Sequence, residues 1–175
     1  NGSRLQNQGG SNGNLRGGKG QTWDGGQRVP CIIRWPGKIN KGEETDNLAT
    51  TMDFLPSITK LIGAELPRKK IDGVEMSDLL FANDNTSKRD SFVYYNEDEL
   101  EAIRYKNWKL HFKKEGKIID ELYDLDNDIG EESNLFDNNK EIVKELSNLA
   151  DEYRKNLGDK SLNIVGKEVR PASEI

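Results

Sequence analysis

Apolar positions are distributed unevenly along the chain. Residues 1–28 (NGSRLQNQGGSNGNLRGGKGQTWDGGQR) are polar, with almost no periodic apolar face, and eleven of the 17 glycines lie within the first 42 residues. Val29-Pro30-Cys31-Ile32-Ile33-Arg34-Trp35 is then a continuous apolar run closed by Pro36-Gly37. That pattern predicts a short buried strand of a parallel or mixed sheet, with Cys31 as a small buried hydrophobe. Residues 53–63 predict a helix with Asp53 as N-cap, Pro56 in the first turn and Gly63 as the stop. Leu55, Ile58 and Ile62 share one face of it, the spacing that packs a helix on a sheet.

A polar stretch over 81–90 (FANDNTSKRD) reads as a surface connection, and the domain boundary is placed there, at 83/84. Beyond it, short β-branched and aromatic runs at 91–95, 100–105, 107–113 and 118–125 alternate with turn residues such as Lys106-Asn107 and Glu115-Gly116. They predict an antiparallel meander. A strong amphipathic helix follows, with Ile142, Val143, Leu146, Leu149, Ala150, Tyr153 and Leu157 on its apolar stripe. Asn138 with Glu141 makes a capping-box start, and Gly158 ends it. Residues 159–175 carry no clear element and are expected to trail over the surface. Residues 1–28 are expected to make few contacts of their own, although Leu15, Trp23 and the Gly-Gly pairs suggest a shaped loop.

Composition narrows the classes available. Of 175 residues, 33% are apolar and 33% charged, and no run approaches the length of a membrane span. With 26 basic against 31 acidic residues, the net charge of −5 argues against a broad nucleic-acid or anionic-membrane surface. A single Cys excludes an internal disulfide framework and any multi-Cys metal site.

The sharpest local feature is Gly17-Gly18-Lys19-Gly20, a lysine among glycines that can project beside backbone amides toward an oxyanion. GNLRGGK satisfies most of a P-loop, but Gly20 stands where Ser or Thr is required, and no strand or helix pattern flanks it. Asp124-Leu125-Asp126-Asn127-Asp128 opens like an EF-hand loop and fails at Ile129 and Leu135, so an Asp-rich turn is the better account. His111, the single histidine, lies in a meander strand as a packing or rim residue, and no nucleophile–base pair can be assembled. Arg68-Lys69-Lys70 reads as a solvated patch.

Three blocks in order carry a family resemblance: NGNLRGGKGQTWDGGQRVPCIIRWPGKI, then MDFLPSITKLIGAELPRKKIDGVEMSDLL, then FVYY…LEAIRYKNWKLHF…ELYDLDNDIGEESNL. Together they resemble the C-terminal part of the sulfatase family, of the arylsulfatase and N-acetylgalactosamine-sulfatase type. The resemblance implies an α/β, alkaline-phosphatase-like sulfatase fragment. Residues 1–83 would end the large α/β domain, and residues 84–175 would form a small C-terminal α+β subdomain with an antiparallel sheet and one long helix. It implies that Lys19 contacts the sulfate ester and that Asn1, as the end of an Asp-Asn-Gly motif, is a Ca²⁺ ligand. Tyr95, Asn96, Arg104 and His111 would be rim contacts to a sulfated small molecule or carbohydrate.

By the same resemblance the nucleophile is a formylglycine made from a Cys or Ser in a Cys/Ser-x-Pro/Ala-x-Arg motif. Cys31, followed by Ile-Ile-Arg, cannot be that residue. Asp24 stands where Glu is commoner, and Ile129 where Pro is common. The chain is therefore expected to be the C-terminal portion of a sulfuric ester hydrolase, inactive without the missing N-terminal portion that supplies formylglycine and most Ca²⁺ ligands. Export to the periplasm, cell exterior or lysosome is expected by resemblance. A non-catalytic accessory or binding module, and a fragment of a phosphate- or phosphonate-ester hydrolase, remain the alternatives. The identity of the nucleophile discriminates the last of these.

Overall fold

The computed structural model describes residues 10–81 and 86–170. They form two compact units: the described residues up to Pro30 together with those from Phe92 onward, and Cys31–Ser91. The boundary expected at 83/84 falls on residues 82–85, outside the described set, and so does Asn1.

In the larger unit four strands lie in the order β1 (Ser91–Asn96), β2 (Glu99–Tyr105), β3 (Trp108–Lys114) and β4 (Lys117–Asp124). β2–β3 and β3–β4 are antiparallel, with Ile103 opposite Leu110 and Leu110 opposite Leu122. The turns form where the sequence places them. Glu115 and Gly116 both take positive φ (49° and 77°), as a two-residue I′ hairpin demands, and Lys106 does so at 54°. A register shift falls between His111 and Lys113.

Helix α4 (Lys140–Leu157) covers one face of the sheet. Leu146 and Ala150 are fully buried against Leu100, Ile103, Leu110 and Leu122, with Ile142, Val143, Leu149 and Tyr153 packed around them. Its start differs from the expected capping box. A 3-10 turn over Phe136–Asn138 precedes it, the N-cap is Asn139, and that residue's amide donates to the Leu135 carbonyl rather than capping the helix. Gly158 ends it at φ 89°.

The residues after α4 do not trail away. Asp159 is buried and accepts from Arg154 Nε (3.1 Å) and from the Ser161 amide and hydroxyl. The Lys167 and Glu168 amides bond the Lys155 and Asn156 carbonyls. Leftover helix C-terminal carbonyls drive this fold-back, because the returning chain supplies the donors they need.

In the smaller unit, a 3-10 turn (Thr51–Asp53) leads into α2 (Phe54–Leu61), and a short helix α3 (Ser77–Phe81) follows. Gly63 closes α2 in a Schellman arrangement. Its amide bonds the Lys60 carbonyl and that of Ala64 the Thr59 carbonyl, with Gly63 at φ 66°. Asp53 holds the unit together rather than simply capping α2. Its buried carboxylate accepts the Thr50 and Val74 amides (2.7 Å each) and Arg89 Nε and Nη2 (2.9 and 2.5 Å). Burial would raise its pKa, but Arg89 and the two amides outweigh that and hold it below the usual carboxylate range.

Two expectations fail in this unit. Val29–Trp35 is not a strand: residues 28–35 are irregular, Ile32 is 93% exposed, and Cys31 is exposed rather than buried. The apolar face of α2 is uncovered as well, with Leu55, Ile58 and Ile62 exposed. An apolar run becomes a buried strand only where neighbouring strands accept its ladder, and the described residues offer it none.

Candidate functional site

Residues 22–26 are buried against the sheet, contrary to the expectation of few contacts. Trp23 is 6% exposed and seats against Tyr123, Leu125 and Ile119 on the sheet face opposite α4. Strand alternation explains why that face is polar-lined. Leu110 and Leu122 point to the helix, so their neighbours Lys109, His111 and Tyr123 point the other way, toward the glycine-rich segment.

Lys19 sits at the corner of a tight turn. The Gln21 amide donates to the Gly18 carbonyl (3.0 Å), and Gly20 at φ 82° takes the position where a type II turn requires positive φ. Lys19 is exposed, and among the described residues no hydrogen bond holds its amine. The glycines around it allow close wrapping. A Cβ on Gly26 would lie 2.1 Å from the Gln21 carbonyl oxygen, and one on Gly25 would lie 2.5 Å from that of Arg16.

The two flanks of this turn are fastened to the sheet by buried polar groups. On one side, Arg16 Nη1 donates to the Glu131 carbonyl (2.8 Å) and to Tyr123 Oη (2.9 Å), and its guanidinium lies 3.7 Å from the Trp23 ring centroid. On the other, Thr22 Oγ1 donates to Glu101 Oε2 (2.7 Å), and the Asp24 amide donates to Glu131 Oε2 (2.8 Å). Short helix α1 (Asp24–Gln27) begins there.

Lys109 lies at the centre, fully buried. Its Nζ donates to Asp24 Oδ1 (2.7 Å) and is paired with Glu131 Oε1 at 2.9 Å. Burial works against that charge, but Tyr94, Asp24 and Glu131 outweigh it and keep Lys109 above the usual lysine range. For Glu131, burial is likewise overcome by the His111 hydrogen bond and the Lys109 charge, so its pKa lies below normal. His111 Nε2 is 3.1 Å from Glu131 Oε1, and the ring packs on Trp23 with centroids 4.0 Å apart. Burial lowers its pKa to about 4. With Nε2–H assigned as the donor to Glu131, a second proton would go on Nδ1, which has no partner among the described residues.

Of the expected rim residues, Tyr95 packs with the core on the α4 side of the sheet and His111 packs on Trp23 on the other. His111 is not a rim group at all, because the glycine-rich segment covers its face and leaves it 0% exposed. Tyr95 donates its hydroxyl to the Gly158 carbonyl (2.7 Å), the Asn96 amide donates to Glu101 Oε1, and Arg104 Nε donates to the Lys106 carbonyl. Asp24, Lys109 and Glu131 were missed as site residues. Trp23-Asp24 within a polar glycine-rich stretch, and acids recurring in ELYDLDNDIGEE, were the available signals. No group of three or more His, Cys, Asp or Glu among the described residues could hold a metal ion.

The described residues thus form a four-stranded meander backed by one helix, with both flanks of a glycine-framed lysine turn fastened to its other face. Residues 18–156 match the family described as N-sulphoglucosamine sulphohydrolase, C-terminal, and the chain belongs to that family. Relatives include mouse (Mus musculus) steryl-sulfatase, 39% identical over 63% of this chain and 19% of its own length. Bovine (Bos taurus) arylsulfatase A is 35% identical over 78% of this chain and 32% of its length, and dog (Canis lupus familiaris) N-acetylgalactosamine-6-sulfatase is 36% identical over 61% and 20%. The chain thus spans between about a fifth and a third of these relatives.

Among solved structures, a Pseudoalteromonas sp. sulfatase superposes with TM-score 0.71 at 25% identity, over 79% of this chain and 32% of the other. A structure described for the metabolism of multiple glycosaminoglycans by Bacteroides thetaiotaomicron gives 0.69 at 29% identity, over 82% and 32%. A third, solved with its substrate D-glucosamine-2-N,6-O-disulfate, gives 0.58 at 26% identity, over 78% of this chain and 30% of that one. The fold is therefore that of alkaline-phosphatase-like sulfatases in their C-terminal part. No described helix is long and apolar enough to cross a membrane.

Proposed function

We propose that this chain is the C-terminal part of an enzyme that hydrolyses a sulfate monoester, and that Lys19 grips the anionic sulfate. The observation that carries the reading is the Lys19 turn, an exposed ammonium at a corner whose two flanks are fastened to a sheet. A compact cation carried on a turn that is fixed at both flanks can reach the sulfate and neutralise charge building on its oxygens. The substrate is a sulfated small molecule or carbohydrate, in keeping with the disulfated glucosamine bound by one structural relative. Asn96 and Arg104 enter this reading as contacts to the remainder of the substrate, while Tyr95, packed with the α4-side core and bonded to the Gly158 carbonyl, and His111, sealed from solvent, drop out.

The nucleophile in this reading is a formylglycine outside the chain, since Cys31 stands in an exposed irregular segment without the required motif. Ca²⁺ belongs to the reading through Asn1, whose amide oxygen suits a hard cation; the described residues add no ligand cluster to it. A bound cation there would clamp a sulfate oxygen. The chain by itself is inactive, and the full-length protein is exported.

Lys19→Ala in the full-length protein, assayed with an aryl sulfate, tests the assignment. Loss of one transition-state charge contact predicts a fall in kcat/KM of about 100-fold or more, with the melting temperature unchanged. A change of less than about threefold refutes it.

A further inference from the structure

Glu131 lies more than a hundred residues downstream of the Lys19 turn, yet it touches both of its flanks. Its carbonyl accepts Arg16 Nη1 (2.8 Å) on one side, and its Oε2 accepts the Asp24 amide (2.8 Å) on the other. Oε1 is held in place by Lys109 (2.9 Å) and His111 (3.1 Å). Glu131 is 0% exposed and stands at φ 53°, a left-handed conformation that residues with a side chain rarely adopt. The turn around it is built to keep that conformation. Asp128 accepts the Glu132 and Ser133 amides (3.0 and 2.8 Å), and its own carbonyl takes the Glu131 amide. A buried acid in strained backbone, spent on two distant ends of one loop, does more than fill a core.

We propose that Glu131 is a positioning residue that fixes the Lys19 turn by binding both of its flanks at once. Arg16 and Asp24 bracket the turn, so clamping both leaves only the corner free to meet an anion. The proposal rests on the sulfate-gripping reading of Lys19 for its catalytic consequence, but the clamp itself is testable without it.

Glu131→Gln removes the charge and leaves too few acceptor positions for the Asp24 amide, Lys109 and His111 together. Lys109 keeps Asp24 as a counter-ion, so the charge balance of the core survives. In the full-length protein, native-state trypsin cleavage after Lys19 is expected to speed up about tenfold or more as the Asp24 flank loosens, the Arg16 bond to the main-chain carbonyl being left in place. With an aryl sulfate, Glu131→Gln is expected to lower kcat/KM about tenfold when Lys19 is present, and by less than about twofold in a Lys19→Ala background. A purely structural role would depress both backgrounds equally, and that result overturns the proposal. Cleavage within about twofold of the parent in a folded Glu131→Gln protein overturns it too.

Should Glu131→Gln fail to fold, Arg16→Met frees one flank at a partly exposed site and is read by the same cleavage after Lys19. A rise supports the clamp, and no rise overturns it. If Lys19→Ala leaves hydrolysis intact, the sulfate-gripping reading falls, and the cleavage comparison alone decides the role of Glu131.

Discussion

Lys109→Met is the most demanding perturbation of the buried polar cluster. The methionine replaces the lysine stem with little change in volume and removes the ammonium that lies 2.7 Å from Asp24 Oδ1 and 2.9 Å from Glu131 Oε1. Two carboxylates of 3% and 0% side-chain exposure are then left facing one another without a cation between them. Breaking a buried ion pair from one side costs about 3–5 kcal/mol, because the partner remains desolvated and unpaired. Against a typical total of roughly 5–15 kcal/mol, that is a large fraction of the stability of a domain. The penalty is capped by protonation of one acid, so it should shrink as pH is lowered toward the carboxylate range. Urea denaturation followed by tryptophan fluorescence reads the loss, since Trp23 packs on the cluster. Adding Asp24→Asn to Lys109→Met should recover part of it by removing one of the stranded charges. A Lys109→Met protein within about 1 kcal/mol of its parent at pH 7 would show that the ammonium does not hold these acids, and the account of the core would fail.

Three further predictions concern His111 and the glycine-rich segment that covers it. His111 has its pKa lowered to about 4, so the fold prefers the neutral ring. The stability it contributes is complete above its unfolded value near 6.5 and is lost as pH falls from there to about 4. The magnitude is on the order of 3 kcal/mol. Denaturation midpoints measured between pH 7 and 4 should fall along that window in the parent and stay flatter in His111→Gln; parallel curves would refute the assignment. Gly26→Ala places a Cβ 2.1 Å from the Gln21 carbonyl oxygen and should cost about 1–3 kcal/mol in the same denaturation assay. Gly20→Ala, with open space around it, should cost only the roughly 1–2 kcal/mol of its positive φ.

The sheet and its helix were legible in the sequence because their determinants are local. Glu115-Gly116 dictates a tight hairpin, and the strands on either side carry their own alternation. The α4 stripe at Leu146 and Ala150 finds its partners in the strands just before it. Lys109 was missed, and His111 was placed on the rim by resemblance, for the same reason. Alternating with Leu110 and Phe112, they have the signature of a solvated face, and nothing nearby in sequence says that Trp23 and the glycine-rich segment will cover it. The run at 29–35 erred in the opposite direction. Its apolar content signals burial, but a strand is a property of two chains in register, and a run of side chains does not reveal whether a neighbour is there. The Lys19 turn could be read as a glycine-framed cation; what fixes its flanks could not.

That asymmetry bears on why charges, rather than apolar contacts, hold the glycine-rich segment. Hydrophobic attraction is non-directional, so the packing of Trp23 on Tyr123 and Leu125 specifies burial more strongly than position. Hydrogen bonds to a buried carboxylate fail within a few tenths of an ångström. Glu131, holding Lys109, His111 and the Asp24 amide through one carboxylate and Arg16 through its carbonyl, admits a single loop position. Such a cluster is an expensive way to gain stability, since a well-packed apolar replacement often does as well or better. It makes sense where position matters more than free energy, as it does under the proposed role of Lys19, in which an exposed ammonium meets an anionic group at a fixed point. The left-handed backbone at Glu131 and the neutral, sealed His111 are compatible with that role.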